Sequence, residues 1–372
     1  MSIEIKELAE SGLAAFIDFP YTLFRDHPHW VGELKKDTLH LLGLGHPFWR
    51  HGERKLLMAY RDGRPAGRLA AIVNSAHNSF HGENCGFFGF FDCEDDKEAA
   101  AGLFAAAEKY LRAKGMDLIR GPVNPSTNET CGLLVEGFDS PPMIMMTYNP
   151  PYYSGLIEAA GFARAKDLLA FNMAVPAGLP ARFEKLLKRI NRVGNITVDF
   201  VQISKLDAAI ADLKDIYNSA WEKNWGFIPM TEDEFAHTAK DLKTVIDPNL
   251  VLFVYVKNEP AGFIVGLPDY NQIFKTIPNG KLFPTGLFKL LTGKKKITRF
   301  RVLTMGVKEK FRNLGLASLM YVKAYENARK TYRECEMSWI LESNFNMNRP
   351  LQLMGATPYK RYRIFEKVLR VH

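Results

Sequence analysis

The sequence predicts an α+β protein built from two copies of one unit, each a mixed, mainly antiparallel sheet covered by helices in an α/β/α sandwich-like arrangement. Three observations carry this. The 372 residues exceed one ordinary compact core, since domains commonly run to about 100–200 residues. The stretch "LLMAYRDGRPAGRLAAIVN" at 56–74 lines up with "VLFVYVKNEPAGFIVGLPD" at 251–269, offset by 195, and "YYSGLIEAAGF" at 152–162 lines up with "NMNRPLQLMGA" at 346–356, offset by 194. Between these anchors the order of elements recurs, which is what a duplicated unit requires.

In the first copy, 56–74 reads as two apolar strands joined by a charged turn ending in Pro65-Ala66-Gly67, a hairpin signal. "CGFFGFFDC" at 85–93 follows as a strand, "KEAAAGLFAAAEKYLRAKG" from 97 as a helix and "DLIRGPVN" from 117 as a strand. An insertion, "PSTNETCGLLVEGFDSPPMIMMTYNPP", then precedes the anchor ending in Gly161 and Phe162.

Pro and Gly in "AVPAGLPARFEKLLKRINRVGN" mark a linker running into a helix. The boundary is placed close to Pro176, giving domains 1–176 and 177–372. Beyond it, 206–242 predicts two helices joined by an aromatic turn, before the second hairpin. "RFRVLTMGV" at 299–307 reads as a strand, "LASLMYVKAYENARKTYRE" from 316 as a helix and "CEMSWILES" from 335 as a strand. In that helix Leu316, Met320, Ala324 and Ala328 recur every four residues, as one buried face requires.

Hydrophobic residues make up 47% and charged residues 24% of the chain, a folded rather than disordered composition. No apolar run approaches the roughly 20 residues that cross a bilayer, and "MSIEIKELAESG" lacks the regions of a signal peptide, so a cytoplasmic protein is expected. Cys85, Cys93, Cys131 and Cys335 form no CxxC pair and read as reduced, buried thiols. Seven of nine histidines precede residue 82, but their spacing matches no ligand motif, and no metal is expected. The net charge of +8 includes one dense source, "KLFPTGLFKLLTGKKKITRFR" at 281–301, which mixes Leu and Phe with Lys and Arg and has no acidic residue. Such a segment lies on an anionic membrane, binds acidic ligands or is a solvated loop. The basic residues are local and no nucleic-acid-binding motif occurs, so nucleic acid is not an expected partner.

At 301–320, "RVLTMGVKEKFRNLGLASLM", a strand ends at Val307 and Arg312-Asn313-Leu314-Gly315-Leu316-Ala317 opens an amphipathic helix. Small residues there let a pyrophosphate approach the backbone, successive N–H groups donate to it, and the helix N-terminus adds positive charge. Arg312 and Lys310 add their own.

This stretch resembles the acyl-coenzyme A motif of the GNAT (GCN5-related) acyltransferase superfamily: Arg or Gln, two residues, Gly, one residue, then Gly or Ala. The family's later Asn, with Gly eleven residues on, is matched by Asn344 and Gly355. The resemblance covers 196–366 and implies a tandem GNAT protein using acetyl-CoA or a longer acyl-CoA. In the first copy "DCEDDKEAAAG" stands in place of the phosphate turn, and Asp92, Glu94, Asp95 and Asp96 would repel a pyrophosphate. That copy is expected to keep the fold without the cofactor.

The resemblance further implies that an amine attacks the thioester directly in a ternary complex. A backbone N–H from Met305, Gly306 or Val307 would polarise the carbonyl. Glu342 is the first candidate base, with Glu222 and Asp269 behind it. The Tyr that many members use as acid is Leu351 here, which leaves Tyr359 and Tyr362 as candidates. Tandem architecture with one dead copy resembles both the aminoacyl-transferases of peptidoglycan cross-bridges and bacterial ceramide-synthase-type acyltransferases. The basic 281–301 segment leans toward a lipid amine or long acyl chain at a membrane surface. A binding protein that senses a metabolite stays open beside these.

Overall fold

A computed structural model describes residues 2–175, 195–222 and 224–369. The boundary expected at Pro176, and the linker and helix expected from there to 194, lie outside the described residues. The chain forms two compact units that interleave in sequence. One gathers residues 1–169, 271–295 and 359–372, the other 170–270 and 296–358. Residues 271–295, which include most of the basic segment, and the last strand from Tyr359 thus group with the N-terminal part of the chain.

In the first unit, Ile3–Leu8 lies antiparallel to Gly52–Arg61, which forms a hairpin with Arg64–Asn74. Cys85–Cys93 pairs antiparallel with the hairpin and parallel with Leu118–Gly121. The last strand, Thr357–Val368, pairs antiparallel with Leu118–Gly121 and with Leu133–Glu136. Helix Lys97–Ala113 makes the crossover between the two parallel strands and buries Ala99, Ala100, Leu103, Phe104, Ala107 and Leu111. Beneath it Phe88 and Phe104 meet edge to face at 5.2 Å, with Phe162 at 5.2 Å from Phe88 and 4.9 Å from Phe104.

The second unit repeats the order. Ile196–Phe200, the hairpin Val251–Val256 with Glu259–Pro268, and Arg299–Val307 are antiparallel, and Glu334–Leu341 runs parallel to the last of these. The crossover helix Leu316–Ala328 buries Leu316, Met320, Ala324 and Ala328, the predicted face. Helices Leu206–Trp221 and Glu232–Val245 occupy the predicted pair of positions.

The repeated Pro-Ala-Gly has a different structural role from the one expected. The turns are Asp62-Gly63 and Lys257-Asn258, all four with positive φ, as a two-residue hairpin loop needs. Pro-Ala-Gly lies just inside the returning strand, where Pro65↔Tyr60 is followed by Gly67↔Ala59, and Pro260↔Tyr255 by Gly262↔Val254. Ala66 and Ala261 are therefore the extra residues of two β-bulges. Each bulged carbonyl accepts one long-range bond at 2.9 Å, from Glu94 N–H in the first unit and Lys308 N–H in the second. The bulge thus holds the first residue after the central strand in both copies. Among the described residues, no helix is long and apolar enough to cross a membrane.

After Glu94 the first unit's acidic turn is consumed locally. Asp96 caps helix Lys97–Ala113 by accepting from Glu98 N–H and Ala99 N–H, both at 3.1 Å, and it accepts from Arg61 Nε at 2.5 Å. The Arg61 guanidinium, helped by the capping amides, holds the Asp96 carboxyl below its ordinary 3.8. Asp96→Ala is expected to cost about 1–2 kcal/mol in urea unfolding at neutral pH. The lowered pKa makes this contribution full above the ordinary carboxylate range and lost as pH falls through the folded value, so the gap between wild type and variant should narrow as the pH is taken below that range.

Candidate functional site

In a parallel pair each strand edge is satisfied by its neighbour, so where pairing stops the edge presents free peptide groups. Arg299–Val307 and Glu334–Leu341 pair only from Arg299↔Glu334 to Val302↔Met337. At that point Leu303 is inserted as a bulge, since Val265↔Thr304 is followed by Gly266↔Val302. Thr304 to Val307 stay with the hairpin while the parallel partner diverges. The result is a groove whose wall is the backbone of Thr304, Met305, Gly306 and Val307.

A buried polar network marks the last rungs. Arg301 and Glu336 are register partners, exposed by 1% and 0%. Arg301 Nε donates to Ser338 Oγ at 2.8 Å, Arg301 Nη2 to the Ser338 carbonyl at 3.1 Å, and Ser338 Oγ to Glu336 Oε1 at 2.5 Å. These residues escaped the sequence reading, although an Arg and a Glu inside otherwise apolar strands were a visible signal.

The groove opens onto the predicted turn. Glu309–Leu314 is a 3-10 helix that ends at Gly315, whose φ of 75° and ψ of 17° are left-handed, and helix Leu316–Ala328 starts there. The N–H groups of its first turn, Leu316 and Ala317 among them, have no intrahelical acceptor and carry the positive end of the helix dipole. Asn313 is exposed and Leu314 half-buried. Lys310 Nζ meets Glu259 at 2.5 Å, and Lys308 Nζ meets Asp215 at 2.5 Å. Lys310, then its neighbour Lys308, holds the Glu259 carboxyl below the usual range. Arg312 does more than supply charge. Its Nη2 donates to the Ala220 carbonyl at 3.0 Å and its Nε to the Val307 carbonyl at 3.4 Å, which braces the turn against helix Leu206–Trp221.

The ends of the two parallel strands point the same way, so Glu342 and Asn344 stand at the same end of the sheet as Val307. Asn344 is the N-cap residue of helix Phe345–Met354, which ends at Gly355 with φ 96°. Asn348, unpredicted and 7% exposed, donates through Nδ2 to the Leu341 and Glu342 carbonyls at 3.1 and 3.0 Å and clamps the strand end.

The remaining candidates lie elsewhere. Leu351 is fully buried, so hydrocarbon fills the place where the resemblance would put a Tyr. Asp269 is fully buried and ion-paired with Arg299 at 2.6 Å, while Glu222 is exposed beyond helix Leu206–Trp221. Tyr359 and Tyr362 belong to the first unit, where Tyr362 is 0% exposed and sits opposite Leu134 in the sheet. The second unit thus carries Met305–Val307, the turn, Glu342 and Asn344 at one end of its sheet, and neither tyrosine belongs to it. Among the described residues, His77, Glu83 and Cys85 of the first unit group within 4.8 Å as metal-type ligands. Arg120 already holds the same Glu83 oxygen as His77, at 2.9 Å, a charge that opposes a cation. Burial also pushes the Cys85 thiol up to about 12, away from the ligating thiolate.

The first unit diverges in the same way and then closes the gap. Its parallel pairing stops at Phe87↔Arg120, and a bulge follows between Gly89 and Asp92. Cys93, opposite Gly67, corresponds to Val307, opposite Gly262. Cys93 N–H donates to Tyr153 Oη at 2.8 Å, Tyr152 Oη donates to the Cys93 carbonyl at 2.8 Å, and Phe90 N–H donates to Asn124 Oδ1 at 2.6 Å. The tyrosines' counterparts in the second copy are Asn346 and Met347.

No family model matches the chain. Protein YghO of Escherichia coli (strain K12) is 36% identical over 368 residues, spanning 97% of this chain and 94% of that protein. The bacterial ceramide synthase of Caulobacter vibrioides (strain NA1000 / CB15N) is 37% identical over 376 residues, spanning 99% and 97%. Among solved structures, a tandem GNAT protein from the clavulanic acid biosynthesis pathway superposes with a TM-score of 0.61 over 100% of both chains at 12% identity. A GCN5-related N-acetyltransferase from Sphaerobacter thermophilus gives 0.53 over 99% of this chain and 96% of that one, also at 12% identity. These structural likenesses establish the fold: two tandem GNAT units.

The buried network yields a paired expectation. Arg301→Met leaves Glu336 buried without its cation and should cost about 3–5 kcal/mol in chemical unfolding, whereas Arg301→Met with Glu336→Leu should recover most of that loss. A single variant no less stable than the double would show that the pair does not act as a unit.

Proposed function

The chain belongs to the family that includes Protein YghO and the bacterial ceramide synthase, with a tandem GNAT fold, and on that premise we propose that it is an acyl-CoA-dependent N-acyltransferase whose second unit carries the reaction. One observation carries this reading: the freed edge of Thr304–Val307 runs into a left-handed glycine and a helix N-terminus, while the matching edge of the first unit is stopped by Tyr152 and Tyr153.

The co-substrate is acetyl-CoA or a longer acyl-CoA. Backbone N–H groups of Asn313, Leu314, Gly315, Leu316 and Ala317 face its pyrophosphate, with positive charge from Lys310 and Arg312 and with Asn344 across the groove. An N–H from Met305, Gly306 or Val307 donates to the thioester oxygen and strengthens as negative charge develops there. Glu342 takes the proton from the acceptor amine as the C–N bond forms and the C–S bond breaks. The leaving thiolate belongs to an acid with an ordinary pKa near 8.5, so it departs without a dedicated acid, and none is assigned.

We assign a lipid amine as acceptor, on two supports. One is the name of the Caulobacter relative. The other is the basic insertion, where helix Thr285–Gly293 and its approach expose Phe283, Phe288 and Leu291, each by 70%, beside exposed Lys281, Lys289, Lys294, Lys295 and Lys296. Apolar side chains that enter a headgroup layer, with about 1 kcal/mol from each nearby lysine, suit peripheral contact with an anionic membrane.

Calorimetry with acetyl- and palmitoyl-CoA tests the co-substrate. Wild type should bind, Gly315→Glu should lose at least tenfold in affinity, and Glu342→Gln should bind unchanged while turnover falls about a hundredfold. Failure of wild type to bind either one would favour the metabolite-sensing alternative. Sedimentation with phosphatidylserine-containing vesicles tests the surface. Phe288→Glu with Leu291→Glu should abolish co-sedimentation, and unchanged binding would remove 281–301 from the reading.

A further inference from the structure

A coenzyme A thioester carries more than a pyrophosphate: its far end is a purine nucleoside with a further phosphate on the ribose. The turn at 308–317 has little uncommitted chemistry for that end. Lys308 is engaged by Asp215, Lys310 by Glu259, and Arg312 by the carbonyls of Val307 and Ala220. The aromatic ring of the turn, Phe311, already has Lys310 Nζ over it at 5.0 Å.

Helix Phe345–Met354, which begins beside Asn344, offers the opposite. It buries Asn348 and Leu351 and turns another face to solvent. Phe345 is 76% exposed, Arg349 is exposed one turn on, and Leu353 is 52% exposed one turn beyond that. Residues four apart share a helix face, and side chains lean toward the helix N-terminus, which directs Arg349 back toward Phe345. Among the described residues Arg349 has no hydrogen bond or ion pair, and the helix carries no acidic residue to supply one. Asn344 makes no side-chain bond to the helix it caps, although Asn is a preferred capping acceptor. An open ring, an uncommitted cation and an amide not used for capping therefore follow one another along the chain.

A single exposed ring is ordinary, so the comparison with the first unit matters. Under the 194-residue offset Phe345 and Arg349 correspond to Pro151 and Gly155. A methyl group at Gly155 would meet nothing within 4 Å, so crowding does not explain the missing side chain. The copy whose strand edge is stopped by tyrosines has neither the ring nor the cation.

We propose that Phe345 and Arg349 bind the nucleotide end of the donor, the ring stacking on the purine and the guanidinium pairing with the ribose 3′-phosphate. The inference rests on reading the second unit as the acyl-CoA site. Every base has a π-face for an aromatic side chain, and a guanidinium meets a phosphate through paired, charge-assisted hydrogen bonds. The consequence is a choice of donor. A thioester on a carrier protein shares the phosphopantetheine arm but has no adenosine, so this face favours the free coenzyme thioester.

The experiment is calorimetry of wild type, Arg349→Gln and Phe345→Ser with three thioesters: acetyl-CoA, acetyl-dephospho-CoA without the 3′-phosphate, and acetyl-phosphopantetheine without the nucleotide. Wild type should bind acetyl-CoA about tenfold more tightly than the dephospho form, and the dephospho form about tenfold more tightly than the phosphopantetheine thioester. Arg349→Gln should bring the first ratio to within about twofold of unity while the dephospho form binds as before. Phe345→Ser should weaken both nucleotide donors about tenfold and leave acetyl-phosphopantetheine unchanged. Both side chains are exposed, so the variants should melt within a few degrees of wild type and can be read directly. Equal wild-type affinity for acetyl-CoA and its dephospho form, or variants that bind all three thioesters as wild type does, overturns the nucleotide subsite and leaves the acyl-CoA site standing. No binding of any thioester by wild type overturns the site itself.

Discussion

The second unit depends on where two parallel strands stop pairing. Had Arg299–Val307 and Glu334–Leu341 continued in register past Val302↔Met337, the peptide groups of Thr304–Val307 would be spent on a ladder and no groove would exist. The stopping point is held from both sides. The Leu303 bulge keeps the central strand on its hairpin while changing its course, and Arg301, Glu336 and Ser338 lock the last rungs together. A buried charged pair is a poor source of net stability compared with hydrocarbon, because desolvation offsets the attraction. Its use at the point of divergence is better explained by geometry than by stability, since a hydrogen-bonded network tolerates one register and not its neighbours.

The two copies separate what the backbone requires from what the chemistry requires. Both carry the left-handed two-residue hairpin, the Pro-Ala-Gly bulge, the 2.9 Å bond from the bulged alanine and an early end to parallel pairing. These features belong to the fold. The side chains around the gap then diverge in opposite senses. In the first unit Tyr153 satisfies the Cys93 amide and also donates to Asp92 at 3.4 Å, while Asp96 satisfies the amides that open the helix. The amides of Phe90, Cys93, Glu94, Glu98 and Ala99 thus already have internal partners. In the second unit Met347 and Gly315 occupy the corresponding places and supply no such acceptor.

The legible part of this in the sequence was the part set by local pattern. The repeat, the strand 299–307, the crossover helix and the glycine turn were readable because side-chain periodicity and small-residue spacing act over a few positions. The role of Pro-Ala-Gly was misread, since a bulge is a statement about a partner strand and leaves no local period. The same reason hid Tyr152 and Tyr153, which sit about 60 residues from Cys93, whose carbonyl and amide they respectively occupy. Tyr359 and Tyr362 looked close to the site along the chain, yet the last strand from Tyr359 onward belongs to the first unit. Arg312 fitted a phosphate role by spacing, and only its contacts with Ala220 and Val307 reveal a brace.

The brace changes how the turn should be thought of. A left-handed glycine at 315 fixes the direction of the helix, but the 3-10 segment before it has few buried side chains to hold it. Three connections do that work: the Lys308 amide on Ala261, the Lys308 ammonium on Asp215, and the Arg312 guanidinium on Ala220. Two of them reach helix Leu206–Trp221. The amides at the mouth of the groove are therefore placed by a helix with no counterpart in the first unit's acidic turn, where Arg61 and the Asp96 cap do the holding. On the proposed function, an anion arriving at the second turn meets donors whose positions are already set, so its binding does not have to order the loop.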